Sequence, residues 1–206
     1  LAGIAKYEGD LDVLGIYGQG TIDFTPNLKL NAGVRFEEGK QSVTLVDLFN
    51  QGGLDQVPAI ENSYWLPAAT LTWSFRDNMQ LRLHASKTIA RPQFRELAPQ
   101  QYLDTETDRT FFGNQFLTDS ELINAEARWE WYFGRDERVS VAAFRKDIER
   151  PIEAVAFQQG GTFFTTFANA PSARLHGVEI EAQRHFPLDG ISAAPWLVAR
   201  RLVAIA

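Results

Sequence analysis

Side-chain character alternates with period 2 along most of this chain, and the alternating runs are long. Leu28, Leu30, Ala32, Val34 and Phe36 alternate with Lys29, Asn31, Gly33 and Arg35. Met79, Leu81, Leu83 and Ala85 alternate with Gln80, Arg82, His84 and Ser86. Ile123, Ala125, Ala127, Trp129, Trp131 and Phe133 do so against Leu122, Asn124, Glu126, Arg128, Glu130 and Tyr132. A strand sends successive side chains to opposite faces, so the pattern specifies strands with one apolar and one polar face. Further runs cover Asp12–Phe24, Tyr64–Phe75, Arg138–Lys146, Phe163–Asn169, Ala173–Phe186 and Leu202–Ala206, about nine strands in all. No window carries a capped 3.6-residue period.

Strand length separates two all-β readings. Alternation alone also fits a soluble β-sandwich with one wet face. Soluble strands run to about 5–6 residues, whereas these are nearer 9–13, the length that crosses a bilayer at a tilt. Trp65 to Phe75 is ten steps along one face, or about 33 Å at roughly 3.3 Å per residue. A tilt of about 40° reduces this to roughly 25 Å, the height of the apolar band of an outer-membrane barrel. That face carries Trp65, Pro67, Ala69, Leu71, Trp73 and Phe75 and no charge. Asp23, Lys29, Arg35, Arg82, His84, Glu126, Arg128 and Glu130 take the other parity. Arg145 and Arg184 break the rule. They fall near a long-loop end and a short turn, from which both are expected to snorkel to headgroups.

Short turns alternate with long connections. The short ones are Thr25-Pro26-Asn27, Arg76-Asp77-Asn78, Gly134–Glu137 and a looser Pro187–Gly190; the long ones are Glu38–Ser63, Thr88–Ser120 and Glu149–Thr162. This is the rhythm of an antiparallel up-and-down transmembrane barrel, with short turns at one end and long loops at the other. Each short turn follows a phenylalanine: Phe24, Phe75, Phe133 and Phe186. With Trp65, Trp73, Trp129 and Trp131 they are the expected membrane-interface aromatics, since such rings form girdles at both edges of a barrel.

Composition removes other chemistries. The chain has no cysteine, which excludes disulfides, thiolate nucleophiles and Cys-ligated metal sites. A formal net charge of −6 argues against a nucleic-acid partner. Leu1 to Asp10 do not read as a signal peptide. His84, His176 and His185 are too scattered for a metal site, Glu179 and Glu181 read as carboxylates on a wet strand face, and no catalytic constellation is arguable. No enzyme activity, catalytic residue, metal or cofactor is expected. The candidate ligand region is the long connection with Arg91, Arg95, Tyr102, Asp104, Glu106, Asp108, Arg109, Phe111 and Phe112. Aromatic faces among carboxylates suit sugar stacking and hydroxyl hydrogen bonding. Arg91 and Arg95 could instead pair with acids of the same loop.

Three segments carry a family resemblance: SKTIARPQFRELAP at Ser86–Pro99, NAEARWEWYFGRDERVSVAAFRKDIERPIE at Asn124–Glu153, and FANAPSARLHGVEIEAQRHFP at Phe167–Pro187. Together with the aromatic and acidic stretch Tyr102–Asn114, they resemble the barrel of TonB-dependent outer-membrane receptors, in particular the proteobacterial branch often linked to carbohydrate uptake. The resemblance implies a barrel of about 22 strands filled by a plug, in the outer membrane. It implies outer-membrane lipid, a small-molecule nutrient and TonB as partners, with TonB acting through a plug and TonB box that are not visible here. Residues 1–206 are then expected to be a partial barrel domain, an open curved sheet lacking the plug and the C-terminal strands. The implied function is active uptake, with an oligosaccharide favoured and a ferric siderophore next. A passive porin-like channel and a soluble β-sandwich sugar-binding module are the alternatives.

Overall fold

A computed structural model describes residues 6–46, 57–104, 109–134, 137–184 and 202–205. In chain order it contains β1 (Lys6–Thr25), β2 (Leu28–Val46), β3 (Ile60–Arg76), β4 (Met79–Ala90), α1 (Phe94–Leu97), β5 (Gln101–Asp104) and β6 (Arg109–Phe112). There follow β7 (Ser120–Gly134), β8 (Glu137–Glu149), β9 (Ile152–Gln159), β10 (Thr162–Asn169), β11 (Ser172–Arg184) and β12 (Leu202–Ile205). Eight strands form one open antiparallel sheet in the order β1-β2-β3-β4-β7-β8-β11-β12. The remaining four form a small sheet in the order β5-β6-β10-β9. The large sheet is thus an up-and-down wall, and the small one is built from two of its long connections.

The registers keep each apolar parity on one side. Leu30 lies opposite Leu71, Leu71 opposite Leu83, and Leu83 opposite Ala127. Ala127 lies opposite Ala143, and Ala143 opposite Val178. This uncharged row crosses six strands. Exposure is inverted relative to a water-soluble sheet. On the apolar face Ile16 is 67% exposed and Trp65 64%, whereas on the polar face Glu130 is 3% exposed and Ser140 2%. A sandwich would bury the apolar face beneath a second layer. Among the described residues none covers it: the small sheet lies on the opposite side. The soluble-sandwich alternative falls on this observation.

At the short-turn end Phe24, Phe75 and Phe133 are exposed on the apolar face. The Trp73 and Phe75 ring centroids are 5.5 Å apart, and those of Trp131 and Phe133 5.3 Å. Trp65 packs on Phe36 at 5.0 Å toward the other end. Trp129 sits between Leu81 and Val141 in the register. Phe186 lies outside the described residues. Arg145 and Arg184 do share the apolar parity, opposite Ala125 and toward the turn respectively. Arg145 Nε reaches two residues toward the loop end, to Asp147 Oδ2 at 2.7 Å. Arg184 Nε lies 3.8 Å from Glu137 Oε1 at the turn end.

One strand assignment needs correction. Phe163–Asn169 is read from sequence as wall, but the structure places it as β10 in the small sheet. Its antiparallel partner is β9, joined through Gly160 and Gly161 at φ 58° and 84°. Two consecutive positive φ angles are what a two-residue hairpin turn demands, and glycine adopts them without strain. The pair closes locally and adds no strand to the wall's ladder.

The inverted faces make a direct prediction. Leu83→Arg puts a charge in the middle of the uncharged row and should destabilise the membrane-inserted barrel by about 2–4 kcal/mol. Thr72→Arg, on the opposite face, should cost far less. Urea unfolding of the full-length protein in lipid vesicles measures both; equal costs would contradict the assignment of faces.

Candidate functional site

The loop end of the wall is closed by residues that sequence alone reads as structureless. After β4 the chain turns at Pro92 into the single turn of α1. The Gln93 backbone N–H donates to Glu96 Oε2 at 2.8 Å, and Ala98 N–H donates to the Phe94 carbonyl at 2.9 Å. From there β5 and β6 form a small hairpin, and β6 pairs in parallel with β10, Phe111 opposite Thr165 and Phe112 opposite Thr166. Two loops far apart in sequence therefore share one sheet.

Side chains lock that union. Asn114 Nδ2 donates to the Phe167 carbonyl at 2.8 Å, and Thr166 Oγ1 donates to the Phe112 carbonyl at 2.8 Å. The Asn169 amide accepts from Thr118 N–H at 2.8 Å and donates to the Thr118 carbonyl at 2.9 Å. A small apolar core of Val43, Leu97, Ala98, Leu117 and Phe167 fills the space beneath. Burying the valine, leucine and phenylalanine side chains favours the closed arrangement by about 1.5–3 kcal/mol each, and Ala98 adds less. The sequence gives little local signal for it, because Val43 comes from the wall and the rest from two separate loops.

Three contacts fasten the cap to the polar face of β2 and β3. Gln41 Nε2 donates to the Pro92 carbonyl at 2.8 Å. Arg91 reaches Glu37 at 2.7 Å, and the same carboxylate takes Arg35 Nε at 2.8 Å. Tyr64 Oη and Asn62 Nδ2 both donate to Asp119 Oδ2, at 2.8 and 3.1 Å. Asp119 is 1% exposed, so this is a buried junction. Arg150, with φ at 51°, stands beside it. Its Nε donates to the Asp119 carbonyl at 3.2 Å, and its own carbonyl accepts from Ser120 Oγ at 2.7 Å and Asn169 Nδ2 at 2.8 Å. Left-handed backbone in a residue other than glycine is held only where surrounding bonds fix it, as they do here.

The sequence-predicted loop residues separate into groups. Tyr102 stacks on Phe111 at 5.4 Å, and Phe111 on Phe167 at 5.6 Å, so these rings face one another. Phe112 is half-buried, and its carbonyl accepts from Thr166 Oγ1. Arg91 pairs with an acid of the wall rather than of its own loop, and Arg95 Nε donates to Gln93 Oε1 at 2.8 Å on the surface. Arg109 is exposed, and its backbone pairs with Asp104 at the open end of the hairpin. Glu106 and Asp108 lie outside the described residues. The most outward aromatics are ones the sequence reading passed over: Phe116 at 76% exposure and Phe163 at 71%. Arg95, Arg109 and Leu103 are exposed on the cap as well.

Beneath the cap the polar face is laced with pairs. Arg82 meets Glu130 at 3.3 Å, Gln80 bonds both Glu130 and Tyr132, and Arg138 meets Glu181 at 2.9 Å. Arg128 lies between Glu126 at 2.9 Å and Glu179 at 3.8 Å. Glu179 and Glu181 are thus each matched by an arginine, a charge ladder rather than an acid–base pair. Among the described residues no cluster of histidine and carboxylate ligands could hold a metal ion.

Gly113 tests how tightly the cap is built. A Cβ there would fall inside the van der Waals envelope of the Ala98 carbonyl oxygen. Gly113→Ala must push the loop off α1, at a cost of about 1–3 kcal/mol. Limited proteolysis should then cleave residues 91–119 several-fold faster. An unchanged rate would show that the packing is looser than described.

A family model described as TonB dependent receptor-like, beta-barrel matches residues 3–202. No curated protein matches significantly. Among solved structures, the ferric yersiniabactin uptake receptor FyuA from Yersinia pestis is similar at 20% identity and a TM-score of 0.63, covering 89% of this chain and 26% of that one. The hemophore receptor HasR of Serratia marcescens, in complex with its hemophore HasA and heme, is similar at 14% identity and a TM-score of 0.66, covering 85% and 32%. The ferric enterobactin receptor PfeA of Pseudomonas aeruginosa is similar at 17% identity and a TM-score of 0.59, covering 84% and 25%. The chain spans about a quarter to a third of the length of these structures. At such identities the likeness establishes the fold, and the family match across nearly the whole sequence establishes membership. This chain belongs to the TonB-dependent receptor β-barrel family, whose members are transport receptors of the outer membrane.

Proposed function

We propose that this chain forms part of the wall and loop-end cap of an outer-membrane receptor that actively imports a scarce small nutrient. The observation that carries the reading is the inverted sheet, apolar where exposed and charged where buried, with two loops joined over its polar side. In that setting lipid contacts the apolar face, and the polar face lines the interior. A plug elsewhere in the polypeptide fills that interior, and TonB acts through it. Residues 1–206 are accordingly a partial barrel domain. A passive porin is less well supported, because its lumen is an open aqueous channel, whereas this interior face is capped and its charges are paired.

An iron chelate leads as the substrate, and an oligosaccharide follows. Receptors for ferric enterobactin and ferric yersiniabactin share this fold. Tyr102 and Phe111, the rings best suited to stacking a sugar, are engaged with each other and with Phe167. The exposed residues of the cap include the rings of Phe116 and Phe163 and the cations Arg95 and Arg109, groups whose chemistry suits an anionic aromatic chelate.

Uptake of radiolabelled ferric chelates and of labelled oligosaccharides by cells expressing the complete receptor tests this reading. Accumulation should stop when an uncoupler collapses the inner-membrane gradient. Phe116→Ala with Arg109→Ala should weaken substrate binding about 5–30-fold, as loss of central contacts does. Uptake that persists in uncoupled cells would establish the passive channel instead.

A further inference from the structure

The outward face of β8 and β11 carries charges at both edges of its apolar stretch. Glu137 and Arg184 mark the turn end, and Asp147 and Arg174 the loop end. Each strand puts ten steps between its two marks, about 33 Å along the strand. That equals the span from Trp65 to Phe75 on β3, so the loop-end charges stand level with the outer aromatic edge. Between the marks lie Val139, Val141 and Ala143 on one strand and Val178, Ile180 and Ala182 on the other, with Arg145 and His176 next to the loop-end marks.

At the loop end two guanidiniums converge on one carboxylate. Arg145 donates from Nε to Asp147 Oδ2 at 2.7 Å and from Nη2 to Oδ1 at 3.1 Å, and Arg174 Nε donates to Oδ1 at 2.7 Å. Asp147 therefore aligns both arginines but neutralises one. His176 lies opposite Arg145 and is exposed. Further toward the loops Glu121 is held by Lys87 at 2.5 Å and Arg150 at 2.8 Å, and Glu149 follows Asp147. Beyond the outer aromatic edge on β1–β3 the charges are mainly acidic instead, with Asp12, Glu38 and Glu61 around Lys40. The surplus cation is thus local to β8 and β11. Both arginine side chains are more than half exposed.

We propose that Arg145 and Arg174, aligned by Asp147, bind the phosphate of an anionic lipid headgroup in the leaflet at the loop end. The forked guanidinium donors match phosphate oxygens, and the site stands where headgroups meet the hydrocarbon edge. The inference rests on the membrane orientation proposed above. Asp147 acts as a positioning residue.

Native mass spectrometry of the complete receptor tests it, with phosphatidylglycerol and phosphatidylcholine supplied in turn. The wild type should retain phosphatidylglycerol about fivefold more, the effect of one basic residue near an anionic leaflet. Arg145→Gln with Arg174→Gln should bring the ratio to about one. Lys146→Gln, which removes the neighbouring charge from the opposite face, should leave it unchanged. Equal retention by the wild type, or a preference that survives the double substitution, overturns the site. Displacement of the lipid by millimolar inorganic phosphate assigns the pair to a free anion and overturns the lipid assignment. Vesicle flotation separates the two levels: a receptor that inserts without headgroup preference sinks this inference alone, and one that stays in the aqueous fraction sinks the orientation with it.

Discussion

Everything in this molecule depends on a continuous ladder of antiparallel hydrogen bonds whose two faces belong to different solvents. Backbone amides in hydrocarbon have no water to turn to, so each must find its partner in a neighbouring strand. The wall strands pair over nearly their whole length, from Lys6 opposite Val46 to Gln183 opposite Arg138. Only with that ladder complete can Ile16, Trp65 and Val178 be exposed while Glu130 and Ser140 are buried. The usual rule of apolar inside and polar outside is reversed across a single sheet, and the reversal is tolerable only if lipid replaces water on one side.

The cap solves a different problem with ordinary soluble-protein means. It has a small apolar core, a one-turn helix and side-chain bonds to loop carbonyls. Its strands β5 and β6 are four residues each and would not stand alone. They persist because β10 lends an edge, and because Asp119, Glu37 and Gln41 tie the assembly to the wall. The aromatic stack of Tyr102, Phe111 and Phe167 crosses between the loops. These rings hold the cap together, while Phe116 and Phe163 stay exposed to solvent.

The wall was legible in the sequence because period 2 is a local signal repeated over many residues. Parity alone assigned Leu30, Leu71, Leu83 and Ala127 to one face, and the registers place them in one row. The cap was not legible because its decisive contacts are non-local. Nothing near Phe111 announces that Thr165 will lie beside it. One clue was local: Gly160-Gly161 between two β-prone runs marks a two-residue hairpin. Reading it would have withdrawn Phe163–Asn169 from the wall. Arg91 illustrates the same limit, since its partner Glu37 comes from β2.

The registers also fix the inclination of the strands without reference to any membrane. Leu28, the first residue of β2, lies opposite Trp73, while the next turn begins at Arg76. Met79, the first residue of β4, lies opposite Trp131, while the following turn begins at Gly134. Each hairpin then gives one residue back at its bulge, since Trp73 stands three residues before its turn and its partner Leu81 two after it, so a row climbs two residues per hairpin, about 7 Å at roughly 3.3 Å per residue. Two strand spacings of about 4.8 Å carry that offset sideways. If the turns lie at one height, the strands must lean by about 35°, within the range of outer-membrane barrels. A span of about 33 Å at that lean rises about 27 Å, close to the apolar band of such barrels. The stagger is the shear that a closed barrel requires. It also means that a straight row across the sheet climbs toward the loop end. That climb is why Ala69, deep in the band on β3, shares a row with Arg145, which reaches the outer edge by bending toward Asp147.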